Sequence, residues 1–520
     1  MGDFCLTPRI KIEYNYMDVT MNLQKGGSIL EDRKTRNKHN LLERLKTRKL
    51  GIVFIIIQFL LTIGLSVLLV KFKLLNRFIV IIVAIMLILL VLMVLGQGCR
   101  GKAHIPFKVV IALLCVIYSI GSYYICTTYD TGTTVTNGEV KDSFQVIVLK
   151  ENPAQTIEDV KNEDFGIDAT QKRESFDKTI NTIQTELKVS ISTKEYVDSM
   201  SLVEALYNKD CNVIILNTAV TSNIKDTYPN FDKETRVLKD YVQVTKQENN
   251  EKVASITEEP FSVFLSGIDT YGDVSTKSRS DVNLIATVNP KTKEILLTST
   301  PRDYFVQTTV SGTQYDKLTH AGLYGVECSM GTLEKLYGVK INYYAKVNFT
   351  GFKDIIDALG SVTVHSDYTF TAQHGERFKE GDNVVDGAKA LAFVRERHSF
   401  PSGDLQRNKN QQALIKAVIE KAASPAILTG FSDIMAAVKD SVKMNMSYEE
   451  IASLVQMQLD DGASWHISTF GVSGEGGSST TYSNQKKAGY VMYIDEEKVA
   501  EASSYINQVI NGQVPSIKED

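Results

Sequence analysis

The stretch Phe261–Val306 reads FSVFLSGIDTYGDVSTKSRSDVNLIATVNPKTKEILLTSTPRDYFV. Three apolar, β-branched runs stand in it, Phe261–Leu265, Val282–Val288 and Ile295–Ser299. Turn residues separate them, so the pattern predicts three strands. Charged groups gather at their ends. The first run closes at Gly267 with Asp269 just beyond; Arg279 and Asp281 open the second; Arg302 follows the third, and Lys317 comes fifteen residues later. Arg279 and Asp281 are two apart at the start of a strand, so they share one face. Further along, Ala345–Phe349, Val362–His365 and Leu391–Val394 also read as strands, with helical patterns at Phe352–Leu359 and Gln411–Ala423. Helices between strands predict a three-layer α/β/α domain around a central mixed sheet, spanning 256–510 and followed by a tail, 511–520. Sites in such domains form at the carboxyl ends of strands, where these charges lie.

A second charged stretch is LAFVRERHSFPSGDLQRNKNQQALI, Leu391–Ile415. Read as the end of an apolar strand, Arg395 and Arg397 alternate and point the same way. Asp404, Arg407 and Gln411, three and four apart, share one face of a helix starting near Gly403. That helix start offers free backbone N–H groups and a positive dipole end. Asp269 and Asp281 together suit one Mg²⁺ (or Mn²⁺), which takes oxygen ligands and keeps part of its shell for substrate phosphates. Guanidinium groups bind phosphate oxygens bidentately. The combination suits a pyrophosphate; the competing reading is a set of solvated strand edges with surface ion pairs. No nucleophile emerges: His320, His365, His374 and His398 are scattered without metal-type spacing, and the Ser-rich Gly471–Thr481 lacks a Gly-x-Ser-x-Gly elbow and reads as a surface loop.

Upstream of 256 the chain changes character. Residues 140–255 predict a small α/β accessory unit: a strand at Phe144–Leu149, helical spacing of Ile180, Ile183 and Leu187, a helix at Leu202–Tyr207 and a strand at Asn212–Leu216. The Thr- and Gly-rich segment 127–139 reads as a linker. Before it lie three uncharged apolar runs, Gly51–Val70, Phe78–Leu95 and Val109–Cys126, each long enough to span a bilayer. The tail 1–50 carries eight Lys/Arg against one acid between Arg33 and Lys49, so it is expected in the cytoplasm, which puts everything after the third span outside. Residues 127–520 hold 40 basic and 55 acidic side chains. An acidic body lacks the basic footprint that general nucleic-acid binding needs. Of six cysteines only Cys211 and Cys328 fall in this body, and two unpaired thiols are the favoured reading over a bridge.

The ordered stretches GID (267–269), RSD (279–281), TPRD (300–303), the Arg395/Arg397 pair and D-x-x-R-x-x-x-Q (404–411) resemble the LytR-CpsA-Psr family over 258–425, and the three spans with the extra unit resemble its capsule-type branch. The resemblance implies an enzyme that binds a polyprenyl pyrophosphate-linked glycan outside the membrane, transfers the glycan phosphate to peptidoglycan and releases polyprenyl phosphate. It implies Asp269 and Asp281 as Mg²⁺ ligands, with Arg279, Arg302, Arg395, Arg397 and Arg407 around the pyrophosphate. Lys317, Asp404 and Gln411 would be supporting residues. Two departures stand out: Thr270, Tyr271 and Gly272 follow the first Asp where the family often has Arg, and Asn410 stands where Arg is frequent.

Three functions compete. A phosphotransferase leads, with Asp404 or Asp269 as candidates to accept the acceptor's proton. A membrane-bound regulator of capsule synthesis or transcription is the second; the short inner tail shows no helix-turn-helix, though contact with capsule-synthesis membrane proteins fits alongside catalysis. A hydrolase using water on the same pyrophosphate is the third.

Overall fold

The structure is a computed structural model describing residues 48–71, 76–97, 105–136, 139–171, 173–246, 252–268, 274–373, 375–424, 434, 437, 439 and 441–517. Asp269, Thr270–Gly272, His374, the tail before Arg48 and the Arg100/Lys102 connection lie outside the described residues.

Two units divide the chain, Met1–Cys126 and Thr127–Asp520. The first carries helices α1 (Arg48–Lys71), α2 (Asn76–Gln97) and the start of α3 (Ile105–Val135). All three are long and apolar enough to cross a membrane. Leu65, Leu69, Met86 and Tyr118 pack together, while Val80 and Leu95 stay 75% and 66% exposed. Apolar side chains so open suit a hydrocarbon surrounding rather than water.

In the second unit α3 runs on to Val135, so the segment read as a linker is mostly helical. Thr133 and Thr134 return their hydroxyls to the Asp130 carbonyl, which lets threonines stay in a helix. Gly132 has a packing task there: a Cβ on it would meet the Tyr448 ring at 2.2 Å. Tyr129 stacks edge-on against the same ring, 5.2 Å between centroids.

The accessory unit comprises β1 (Glu139–Leu149), β2 (Asp164–Asp168), α4 (Arg173–Leu187), β3 (Ser192–Tyr196), α5 (Ser199–Tyr207), β4 (Val213–Asn217), α6 (Thr221–Thr227) and β5 (Thr235–Lys246). Its five strands run in the order β3-β2-β4-β1-β5. Strand β4 is buried at every position, as its Ile–Ile–Leu core predicts. Alternating side chains split it: Val213 and Ile215 join Phe144 and Phe165 on one face, Ile214 and Leu216 join Leu202 and Leu206 on the other. That second core continues into Ala321, Leu323 and Cys328 of the next domain. Cys211 and Cys328 are both buried there as free thiols.

The larger domain follows as β6 (Phe261–Ile268), β7 (Ser280–Asn289), β8 (Glu294–Thr300), α7 (Leu318–Ala321), α8 (Val326–Tyr337), β9 (Tyr343–Asn348), α9 (Phe349–Ala358), β10 (Val362–Ser366), β11 (Gly381–Val385), α10 (Gly387–Arg395), α11 (Asp404–Ala422), β12 (Val442–Met444), α12 (Tyr448–Asp461), β13 (His466–Gly471), β14 (Gly474–Thr481), β15 (Asn484–Ile494) and α13 (Glu496–Ile510). A six-stranded sheet orders them β12-β9-β6-β7-β8-β13. β9 and β13 pair parallel with β6 and β8, and the other neighbours are antiparallel, so the sheet is mixed. Phe264, Ile285 and Leu296 meet Leu333 of α8 and Ile506 of α13 on one face. Leu284, Ala286 and Leu297 meet Ile415 and Ile419 of α11 on the other. Helices therefore cover both faces, and each fully buried Leu or Ile contributes roughly 1.5–3 kcal/mol.

Two readings are corrected and one is refined. Leu391–Val394 is helical, part of α10, because Asp386 caps the helix by accepting the Lys389 N–H and Ala388 and Ala390 extend it. Val362–His365 is a strand as expected, and among the described residues it pairs with β11 rather than with the central sheet. Gly471–Thr481 is mostly strand, β14 paired with β15, its register set by backbone bonds rather than side-chain pattern.

Candidate active site

A cavity of about 830 Å³ opens beside the ends of β6 and β7. Its apolar wall comes from Val263 and Leu265 of the sheet, Phe352 and Ile355 of α9, and Leu414, Ile415, Val418 and Ile419 of α11. Its polar end holds Arg279, Asp281, Arg302, Lys317, Arg395, Arg397, Arg407 and Gln411. Every described site residue read from the sequence lines this cavity except Asp404, which sits 3.6 Å from Arg397 and 3.5 Å from Arg407.

Each cation is placed by an identifiable element. Arg302 follows β8 and donates to Asp281 Oδ2 at 2.8 Å, while the Thr319 hydroxyl donates to Asp281 Oδ1 at 3.1 Å. Burial works against charge on Arg302, but Asp281, Asp303 and Asp404 outweigh it and hold the guanidinium above its usual range. Lys317 pairs with Asp303 at 3.1 Å. Arg279 pairs with Asp226 at 2.8 Å, and Asp226 belongs to α6 of the accessory unit. Arg395 ends α10 with its guanidinium 4.4 Å above the Phe349 ring, at the start of α9. Burial raises the neighbouring Glu396 carboxyl, but N–H groups of Ser399, Gln373 and His398 outweigh it and hold it below the usual range.

Arg407, in the first turn of α11, is the most telling. Its side chain is only 9% exposed, yet Nε and Nη2 have no hydrogen-bond partner among the described residues. Burial pushes its pKa down, and nearby Arg302 and Arg397 add to the shift against Asp404 and Asp281. A buried guanidinium with empty donors, repelled by two others, is set up for an anion. Gln411 reaches Val394 O at 3.4 Å and ties α11 to the end of α10. Asn410, the family departure, donates to Phe393 O at 3.3 Å and faces that helix instead of the cavity.

Asp281 bears on the expected metal. Each of its oxygens accepts one bond and keeps lone-pair capacity for a cation. Among the described residues no group of three His, Cys, Asp or Glu clusters as a metal site. Asp281 fits Mg²⁺ as one carboxylate ligand, the mode in which the ion relies on substrate phosphates for the rest of its shell.

Sequence reasoning missed Asp226, Asp303, Thr319 and His320, all lining the cavity. Asp303 was legible in TPRD. Thr319 and His320 come two and three residues after Lys317, and no metal spacing surrounds them. Asp226 carried no signal, since the accessory unit's place beside the site is a tertiary fact. The approach is tight: a Cβ on Gly322 would meet Ser278 O at 2.4 Å, so only glycine lets the turn after α7 press against Ser278–Ser280.

A family model, described as the LytR_cpsA_psr family, matches residues 227–508. A polyisoprenyl-teichoic acid–peptidoglycan teichoic acid transferase TagU of Bacillus cereus is 39% identical over 239 residues, 45% of this chain and 77% of that protein. A protein of the same name from Bacillus mycoides is 39% identical over 208 residues, 40% of this chain and 67% of the other. The crystal structure of B. subtilis TagV aligns over 50% of this chain and 99% of its own, at 27% identity and a TM-score of 0.42. With more than half its length matched by that model, and with the charged motifs of Phe261–Val306 and Leu391–Ile415 inside the match, this chain belongs to the LytR_cpsA_psr family.

Proposed function

We propose that this protein is a phosphotransferase that moves a glycan from a polyprenyl pyrophosphate carrier to peptidoglycan. The single observation that carries the reading is Arg407, buried with two donor nitrogens that have no hydrogen-bond partner among the described residues, at the charged end of a cavity whose other walls are apolar. A pyrophosphate attached to an isoprenoid chain has that same polarity. The names of the similar transferases support the reading. The glycan is a capsular or teichoic-acid-like polymer, and the three apolar helices anchor the enzyme with residues after α3 outside the cell.

Arg302, Arg395, Arg397 and Arg407 would bind the two phosphates and the charge that collects on the leaving polyprenyl phosphate. Phosphoryl transfer asks the protein for little covalent chemistry, so positioning and charge neutralisation do most of the work. Lys317 and Gln411 steady this set through Asp303 and α10. Mg²⁺, held by Asp281 together with Asp269 and the donor's phosphate oxygens, would supply further neutralisation. The apolar wall would take the first isoprene units and keep bulk water from the phosphates.

The test is the full-length protein in lipid nanodiscs with a labelled polyprenyl pyrophosphate glycan, with and without peptidoglycan fragments. Label appearing on peptidoglycan with release of polyprenyl phosphate is expected. Release at equal rate without an acceptor, with no label on peptidoglycan, would assign hydrolysis instead.

A further inference from the structure

One cluster at the cavity is not used by that reading. His320 lines the cavity from α7, next to Thr319, which donates to Asp281. Its Nδ1 lies 2.6 Å from Asp316 Oδ1 and 2.8 Å from the Ser483 hydroxyl. Asp316 is fully buried and surrounded by donors: the Lys317 N–H at 2.8 Å, the Ser483 N–H at 3.0 Å and the Ser483 hydroxyl at 3.1 Å. A carboxylate that only accepts requires Nδ1 of His320 to carry the proton. In that tautomer the lone pair is at Nε2, which has no hydrogen-bond partner among the described residues. With Nδ1 engaged by the buried carboxylate, Nε2 is the ring nitrogen left for the cavity that His320 lines.

We propose that His320 is the general base that deprotonates the acceptor hydroxyl, with Asp316 as its positioning residue. The assignment rests on the transfer reading above. The acceptor oxygen bonds to the glycan-bearing phosphorus, and the bond from that phosphorus to the bridging oxygen breaks. The electron pair leaves with polyprenyl phosphate, and the hydroxyl proton passes to Nε2 and then to water. Fixing one ring nitrogen with a buried carboxylate sets the tautomer and aims the other, the logic by which a His–Asp pair serves acyl transfer. Asp404 is the poorer candidate because it lies between Arg397 and Arg407, so a proton taken there would weaken two ion pairs at once.

His320→Gln and His320→Asn test this in the full-length protein. The Asn amide can still donate to Asp316, the Gln amide reaches towards the cavity, and neither is a base. Three quantities are measured: melting temperature, affinity for the labelled donor and rate of transfer to peptidoglycan fragments. Donor affinity within about 3-fold of wild type and transfer slowed roughly 10²–10⁴-fold are expected, the usual contribution of a general base. Asp316→Asn should lower kcat while leaving KM for the donor nearly unchanged, a split that a purely structural role would not produce. A variant that melts like wild type and transfers within about 5-fold of it overturns the assignment, as does loss of donor affinity in step with transfer. Absence of transfer by the wild-type protein would instead defeat the transfer reading, and the assignment with it.

Discussion

Replacing Arg407 with Met separates an anion site from a structural ion pair. Met fills a similar volume on α11 without charge. Among the described residues Nε and Nη2 have no hydrogen-bond partner, and the Asp404 contact is a loose 3.5 Å. The folded state therefore gains little from this guanidinium, and burial together with Arg302 and Arg397 disfavours it. Removing a poorly compensated buried charge is commonly neutral or stabilising, so the change in stability should stay within about 1 kcal/mol or be favourable. Donor binding should respond in the opposite sense. Two charge-assisted bonds to phosphate oxygens are worth about 1.5–3 kcal/mol each. Their loss should weaken donor binding or slow transfer by roughly 10²–10⁴-fold. Thermal melting and the nanodisc transfer assay read the two effects separately. A variant that loses more than about 2 kcal/mol of stability and still transfers normally would refute the reasoning, and Arg407 would be a structural partner of Asp404.

Four other perturbations follow from the same geometry. Arg397→Lys keeps charge but loses the planar fork, so transfer should fall by roughly 10²–10³-fold, measured with labelled donor; wild-type rates would exclude a charge-stabilising role. Asp281→Asn should abolish Mg²⁺-dependent transfer while the protein stays folded, and full activity after chelation would remove the metal from the scheme. Asp142→Asn leaves Lys277 buried opposite a neutral group, because their ion pair spans 2.5 Å with both side chains under 10% exposed. It should cost about 3–5 kcal/mol by denaturant melting and shift accessory unit and larger domain together. Asp168 is buried and its carboxyl is raised to about 6, chiefly by desolvation. A raised folded pKa means that charging the group destabilises the fold as pH rises from about 4 to 6, so Asp168→Asn should gain on the order of 1–3 kcal/mol at pH 7 and lose that advantage below pH 4.

The elements legible in the sequence were those whose side-chain period matched a single environment. Strands β6, β7 and β8 alternate or run apolar between turns, and the sheet has them in that order. The spans needed only length and absence of charge. Leu391–Val394 failed because four apolar residues carry no period of their own; the cap at Asp386 and the alanines upstream decide for a helix, and they were not weighed. The linker 127–139 is helical as far as Val135 for another reason. Its Thr and Gly composition is weak for a helix, but the Gly132–Tyr448 contact holds it, and that partner lies over 300 residues away in sequence.

The site divides along the same line. Arg395 and Arg397 were expected to face one way as strand neighbours, and both do reach the cavity, although by a helix end followed by an extended Glu396. What the sequence hid was the accessory unit's share. Strand β1 lies beside Ser275 and Thr276, with the Lys141 N–H donating to Ser275 O at 3.0 Å. Asp142 of that strand takes Lys277, and Asp226 of α6 takes Arg279. One short segment, Ser275–Arg279, is thus fastened at three points by a unit that seemed chemically empty. Because Arg279 and Asp281 bracket the start of β7, a shift of this segment would move both the Arg and the carboxylate that meets Arg302. Of these contacts the Asp142–Lys277 pair is buried while Asp226 is largely exposed, so the buried pair and the backbone bond do most to hold this geometry. The accessory unit is in this sense part of the candidate site's supporting wall, and because its core continues into Ala321, Leu323 and Cys328, loosening it should disturb the site and the larger domain together.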